Sequence, residues 1–279
     1  MTTRDQRLNR LSLNQKTIDR CSVPQAVREC SDNDIPAIGL WREPVHETGV
    51  TRSAKLVRDA GLRVSSLCRG GFFTGARGEE SRAVLDDNRR ALDEAAELGA
   101  PCLVLVVGGL PAGSRDLPEA RHRVGEALAE LAPYAGERGV RLALEPLHPM
   151  YCADRAVVST LGQALDIAGA FPSEQVGVVV DAFHVWWDPE LFTQIDRAAD
   201  RIASFQVCDW LTPLPADVLL GRGMMGDGHI DFPPLRAAVE HAGYDGDIEV
   251  EIFNEDVWNA DPGVVVPTTV ERYLNRVWA

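Results

Sequence analysis

Positive charge is scarce in this chain. Its 279 residues carry 28 Lys and Arg against 42 Asp and Glu, a formal net charge of −14. Nucleic-acid binding rests on Lys and Arg set against phosphates, so this balance argues against it. A small anionic substrate stays open, because local charge in a cleft outweighs the total. The six cysteines (21, 30, 68, 102, 152 and 208) form no CxxC pair. Scattered cysteines in a chain of this size read as free thiols in a cytoplasmic protein. No apolar run approaches the ~20 residues that span a bilayer, so no membrane partner is expected. The N-terminus "MTTRDQRLNR" is polar, without the apolar core of a secretory signal. Residues 1–10 are expected as a tail, disordered or in contact with a partner. No low-complexity linker divides the remainder, so 11–279 read as one domain. "GRGMMGDG" does not match GxxxxGK[ST], which argues against a nucleotide-phosphate loop. No Ser-His-Asp order and no Cys nucleophile motif is found.

What is present is a recurring unit: a short apolar run, a polar stretch, then an amphipathic segment. Eight such runs are "RLSLNQ", "PAIGLW", "RVSSLC", "CLVLVVGG", "RLALEPLH", "VGVVVDAFH", "IASFQVCDW" and "DIEVEIF". Between them lie helical patterns such as "DNRRALDEAAELGA" and "RVGEALAELAPYAGERG", several closing on Gly where a helix should stop. Ser22-Val23-Pro24 predicts the start of the first helix, with Ser22 as cap. Strands alternating with helices imply a parallel sheet. Eight units in this length predict an α/β single-domain (β/α)8 TIM barrel. A doubly wound open sheet is the alternative. It is disfavoured by the repeat count and by the lack of GxGxxG after the first strand.

In a (β/α)8 barrel, chemistry sits at the C-terminal strand ends. Four of those ends carry Glu145, Asp181, Gln206 and Glu251. A strand's alternation puts Glu249 and Glu251 on one face, both toward the core. Each residue alone reads as an ordinary cap or salt-bridge partner. Together, three converging carboxylates would repel one another without a cation, and an oxygen set of this kind suits a hard divalent metal, Mn²⁺ or Mg²⁺. Glu249, one layer deeper, also needs a partner, and Arg63 or Arg141 is the expected one.

Five motifs in the second half, "LALEPLH", "VVVDAFH", "SFQVCDW", "GRGMMGDGHIDF" and "VEIF", resemble the xylose isomerase-like TIM barrels, known also as sugar phosphate isomerases/epimerases. The resemblance implies that Glu145, Asp181 and Glu251 are metal ligands. It further implies that His184 and Arg222 contact substrate. Epimerases of that family carry histidine where this chain has Gln206. Dehydratases of the same superfamily, resembling 3-dehydroshikimate dehydratases, use glutamine there. Gln206 is therefore expected as the fourth ligand through its amide oxygen.

The chemistry this implies is a metal-stabilised enediolate on a small keto-sugar or polyol-like substrate. Glu145 and Glu251 are the candidate bases on opposite sides of one carbon. Return of the proton from the other face, or at the next carbon, makes an epimerase or isomerase. Loss of a β-oxygen makes a lyase or dehydratase, acting for example on a dehydroshikimate, an inosose or a keto-glycoside, with His184 as the acid. His148 is a candidate for orienting substrate, with a solvated loop position as the alternative. Trp41 and Trp258 are candidate pocket walls. Trp186 and Trp187 either wall the pocket or pack beneath a loop. Cys68 and Cys208 are expected as small core residues. "GRGMMGDG" is expected as a mobile loop over the site. An endonuclease IV-like nuclease is disfavoured by six histidines and the acidic charge. A non-catalytic binding barrel is the remaining rival, and homo-oligomer formation is left open.

Overall fold

A strand buried on both faces needs continuous Val, Ile and Leu, and the eight apolar runs supply it. In the computed structural model, which describes residues 5–75 and 78–279, they form β1 (Leu11–Asn14), β2 (Ala37–Trp41), β3 (Arg63–Gly71), β4 (Cys102–Val106), β5 (Arg141–Leu144), β6 (Val176–Asp181), β7 (Ile202–Val207) and β8 (Ile248–Val250). All pair in parallel, and β8 closes against β1, so the sheet is a closed eight-stranded barrel. The expected (β/α)8 architecture is the observed one.

The helices between strands start and stop on the signals in the sequence. Val23–Asp32 begins at Ser22, whose backbone N–H donates to the Gln25 side chain at 2.9 Å. The helices Glu79–Leu98 and Leu117–Arg138 end on Gly99 and Gly139, both left-handed, with φ 75° and 64°. Their apolar faces and the outer faces of the strands form the main core. A smaller cluster of Cys68, Cys102, Val104, Ala143 and Val179 fills the barrel's interior.

The expected N-terminal tail of residues 1–10 is only partly among the described residues. Residues 1–4 lie outside the described residues, but Gln6–Arg10 forms a 3-10 turn with Leu8 buried. Arg10 pairs with Glu240 at 2.7 Å, which ties this segment to the helix Phe232–His241. No helix among the described residues is long and apolar enough to cross a membrane, and all six cysteines are free thiols.

The segment after β7 departs from expectation. Asp209–Trp210 pairs antiparallel with Arg222–Gly223. The Asp209 carboxylate then accepts backbone N–H groups from Gly226 (2.8 Å), Gly228 (2.9 Å) and Ile230 (3.0 Å). A Cβ at position 228 would lie 2.1 Å from the Trp210 carbonyl oxygen, so only glycine fits that approach. Met224 and Met225 are buried beneath. The glycine-rich stretch is thus held by three backbone hydrogen bonds to one carboxylate.

Candidate active site

Asp181 ends β6, Gln206 is the penultimate residue of β7, and Glu145 and Glu251 directly follow β5 and β8. All four are buried, and all four line or floor the mouth of the barrel at its C-terminal end. Glu145, Gln206 and Glu251 line a cavity of about 620 Å³, together with Trp41, His184, Arg222 and Trp258. Ligand atoms of Glu145, Asp181 and His184 lie within 4.8 Å of one another.

Arg222 sits at the centre of this group. Its Nη1 donates to Asp181 Oδ2 at 2.9 Å and to Glu251 Oε2 at 3.2 Å. Burial pulls the guanidinium's pKa down, but Asp181, Cys208 and Glu251 outweigh it and hold the group well above its ordinary value. The carboxylates move the other way. Burial, then repulsion from Asp181 and Glu251, pushes Glu145 well above the usual range. Burial also raises Asp181 against the pull of Arg222, and lifts Glu251 to about 8. Glu145 has no hydrogen-bond donor or ion-pair partner for its side chain among the described residues, although its backbone N–H is bonded to Leu105. Three buried carboxylates face one guanidinium; with all three ionised, the imbalance is two negative charges.

Glu249 lies one layer deeper, as expected, but its partners are not arginines. Its carboxylate accepts from Asn14 Nδ2 (2.6 Å), Ser65 Oγ (2.5 Å), Ser66 Oγ (2.8 Å) and Gln206 Nε2 (3.2 Å). Arg63 instead pairs with Asp247, and Arg141 donates to the carbonyls of Asp200 and Ile202, both at the far end of the barrel. Gly39 of β2 makes the room: a Cβ there would meet the Glu249 carboxyl at 2.7 Å. Asn14 is itself fixed, its Oδ1 accepting from Trp41 Nε1 and the Lys16 N–H, both at 2.9 Å. Four neutral donors stabilise Glu249 against the burial that raises its pKa.

This network sets the orientation of the Gln206 amide. With Nε2 donating down to Glu249, Oε1 is left buried and without a partner. An orphaned buried acceptor costs free energy unless something answers it. That atom, with Glu145, Asp181 and Glu251, forms an all-oxygen donor set short of two positive charges. The residues present therefore fit a hard divalent cation.

His184 differs from expectation. The His148 backbone N–H faces its Nδ1 at 3.2 Å. Its Nε2 lies 3.0 Å from Arg222 Nη2 and 3.7 Å from Asp181 Oδ2. Burial, reinforced by Arg222, holds the ring's pKa well below its ordinary value, so His184 is neutral. Arg222, which can only donate, faces Nε2, so both ring nitrogens point at donors and the neutral ring is not a ready acid. The Arg222 contact competes with a metal for Nε2.

His148 contributes its backbone rather than its ring. The ring is outside the cavity lining and packs on Trp187 and Trp210 at 5.4 and 4.9 Å. Trp186 packs on Trp210 as well, at 5.7 Å, and Trp187 Nε1 donates to the His184 carbonyl at 2.8 Å. Both therefore support the site from behind. Burial pushes the Cys68 and Cys208 thiols well above their usual range, as befits core residues.

Comparison with known proteins agrees with this fold. The family model for the xylose isomerase-like TIM barrel matches residues 27–271. The crystal structure of protein SMc04130 from Sinorhizobium meliloti 1021 superposes with a TM-score of 0.93 at 49% identity, covering 96% of this chain and 98% of that one. A 3-dehydroshikimate dehydratase of Pseudomonas aeruginosa is 30% identical over 220 residues, 76% of this chain but only 33% of that protein. An inosose isomerase of Bacillus velezensis is 24% identical over 204 residues, covering 72% of this chain and 70% of that one. The chain thus spans about a third of the length of the dehydratase it matches. With the closed barrel and the strand-end carboxylates, these matches place the chain in the xylose isomerase-like TIM barrel family.

Proposed function

We propose that this protein is a divalent-metal-dependent isomerase or epimerase of a small polyhydroxylated carbonyl compound, acting by enolisation. The observation that carries the reading is the donor set itself: Glu145, Asp181, Glu251 and the orphaned Gln206 Oε1 around one guanidinium. Mn²⁺ or Mg²⁺ held there supplies Lewis-acid stabilisation of negative charge on a substrate oxygen.

The chain's own residues supply the rest. Glu145 and Glu251 come from β5 and β8, three strands apart in the closed ring, so a carbon between them has a carboxylate on either side. One takes the proton from that carbon and the other returns one, which inverts or relocates the centre. Arg222 donates to substrate oxygens, with His184 Nε2 held against it, and the pair fixes which carbon faces the bases. Trp41 and Trp258 wall the cavity and limit water.

A lyase is the second reading, favoured by Gln206 and by the likeness to the dehydratase. It uses the same first proton transfer and then expels a β-oxygen. The test is proton exchange. Metal-loaded protein incubated in D₂O with keto-sugars, inososes and cyclic keto-acids should wash deuterium into the carbon next to the carbonyl. Products of retained formula identify an isomerase; loss of water identifies the lyase. Absence of exchange across the panel with each of Mn²⁺, Mg²⁺, Co²⁺ and Zn²⁺ refutes enolisation.

A further inference from the structure

Two further guanidiniums line the cavity, and neither is in ion-pair contact with the carboxylates that line it. Arg69 projects from β3 and Arg155 from the loop after β5, and both line the cavity that holds Glu145 and Glu251. Among the described residues Arg69 makes no hydrogen bond and no ion pair. Its guanidinium rests 4.5 Å from the Phe72 ring centre and 6.0 Å from that of Trp41. The buried Nε of Arg155 has no hydrogen-bond partner, and its one anion is the largely exposed carboxylate of its neighbour Asp154, 3.6 Å away. Burial lowers the pKa of Arg69; Glu43, then Cys68 and Glu145, offset part of this without reaching ion-pair distance, while Arg155 lowers it further.

The other cations of the cavity are occupied. Lys16 pairs with Asp19 at 2.6 Å and sits among the rings of Trp41, Phe253 and Trp258. Arg20 is bonded to Asn259, and Arg222 to Asp181 and Glu251. Two guanidiniums left short of counter-charge in a chain of net charge −14 are a costly arrangement. Val104 and Val106 of β4 line the cavity as well, and β4 lies between β3, which carries Arg69, and β5, whose following loop carries Arg155.

We propose that Arg69 and Arg155 form an oxyanion subsite. The substrate then carries a carboxylate or a phosphate monoester at one end and its reacting carbonyl at the other. Guanidinium forks match both groups in geometry and charge. The cavity's volume suits a six-carbon ring or chain reaching from one pole to the other. This inference rests on the enolisation reading only in assigning the anion to the substrate.

The test is binding, without turnover. Mn²⁺-loaded full-length protein is titrated calorimetrically with a polyhydroxylated cyclohexanecarboxylate, with its neutral methylamide, and with a cyclitol monophosphate. The carboxylate or the phosphate should bind about 10- to 100-fold more tightly than the amide, as charge-assisted bonds require, and the tighter of the two identifies the anion. Arg69→Met and Arg155→Met should each reduce that preference severalfold or more, with amide binding and metal content unchanged. Arg69→Lys should retain part of it. Should Arg69→Met not fold, Arg155→Met and Arg69→Lys decide. Equal binding of all three probes to the wild type, no binding of any at millimolar concentration, or a preference that survives in the methionine variants overturns the subsite. Loss of deuterium exchange with the charge preference intact would instead remove the enolisation reading and leave the subsite standing.

Discussion

Chelating the metal should make this protein less stable as pH rises, a trend that metal abolishes. The ligand carboxylates are the cause. In the unfolded chain Glu251 ionises near its ordinary 4.5; in the fold it ionises near 8. A folded-state pKa raised in this way means that the native state holds a proton the unfolded state has lost. Its stabilising effect is full below pH 4.5 and is lost as pH rises through 8. One retained proton gives a slope of about 1.4 kcal/mol per pH unit. His184 and His148 work oppositely, since burial lowers both and their effect falls at pH below about 6.5. The clean window is therefore pH 6.5 to 8. Across it Glu251 alone contributes about 2 kcal/mol, and Glu145, raised in the same direction, adds to it. Metal binding requires these groups ionised, so loading at pH 7 should release roughly one to two protons per ion. Urea denaturation with chelator across the window measures the slope. Calorimetric Mn²⁺ titration in two buffers of different ionisation enthalpy counts the protons. A flat or rising stability in chelator, together with no proton release, would refute the charge balance drawn for this site.

Glu145→Gln and Glu251→Gln should each lower turnover by about 10²- to 10⁴-fold while leaving the circular dichroism spectrum unchanged; a variant keeping more than about a tenth of the wild-type rate has no role as a base. Gln206→Ala should weaken Mn²⁺ binding, and Gln206→His should keep a metal but shift preference toward Zn²⁺ and Co²⁺. Mn²⁺ binding by Gln206→Ala as tight as wild type would show that the amide oxygen is no ligand. Glu249→Gln should lower metal affinity by about 10- to 100-fold without touching the ion, because the support of Gln206 is lost. Unchanged affinity there would separate the buried network from the metal site.

The fold was legible because each strand is buried on both faces, and "VGVVVD" or "CLVLV" has no other stable home. The strand-end ligands were legible for a related reason: alternation fixes which side chains face the axis, and polar ones there stand out. What depends on contacts between distant strands was not legible. Glu249 finds Asn14 on β1 and Ser65 and Ser66 on β3, elements more than 180 residues away, through barrel closure and register. Arginine was the obvious counter-charge in composition, yet three small neutral donors and an amide fit beside Gly39. The anchoring role of Asp209 was hidden likewise, because its partners are backbone N–H groups that carry no side-chain signature. His148 was misread for a simpler cause: spacing places a residue in a loop but does not say whether its ring or its backbone faces the site.

The buried network also explains which residues position 206 tolerates. A side chain there must donate downward to Glu249 and present a lone pair upward to the ligand carboxylates. Glutamine does both with one amide, and neutral histidine does both with two ring nitrogens. Glutamate would set a second carboxylate against Glu249, and alanine would leave one of its bonds unmade. The two residues that meet the requirement carry the same charge, so exchanging them leaves the balance of three carboxylates and Arg222 intact. Only the hardness of the upward atom changes. On the proposed function, the choice at 206 should tune which metal binds rather than whether one binds. Selection of the reaction then falls to the groups proposed to hold the substrate, Arg222 and His184 on one side and Arg69 and Arg155 on the other.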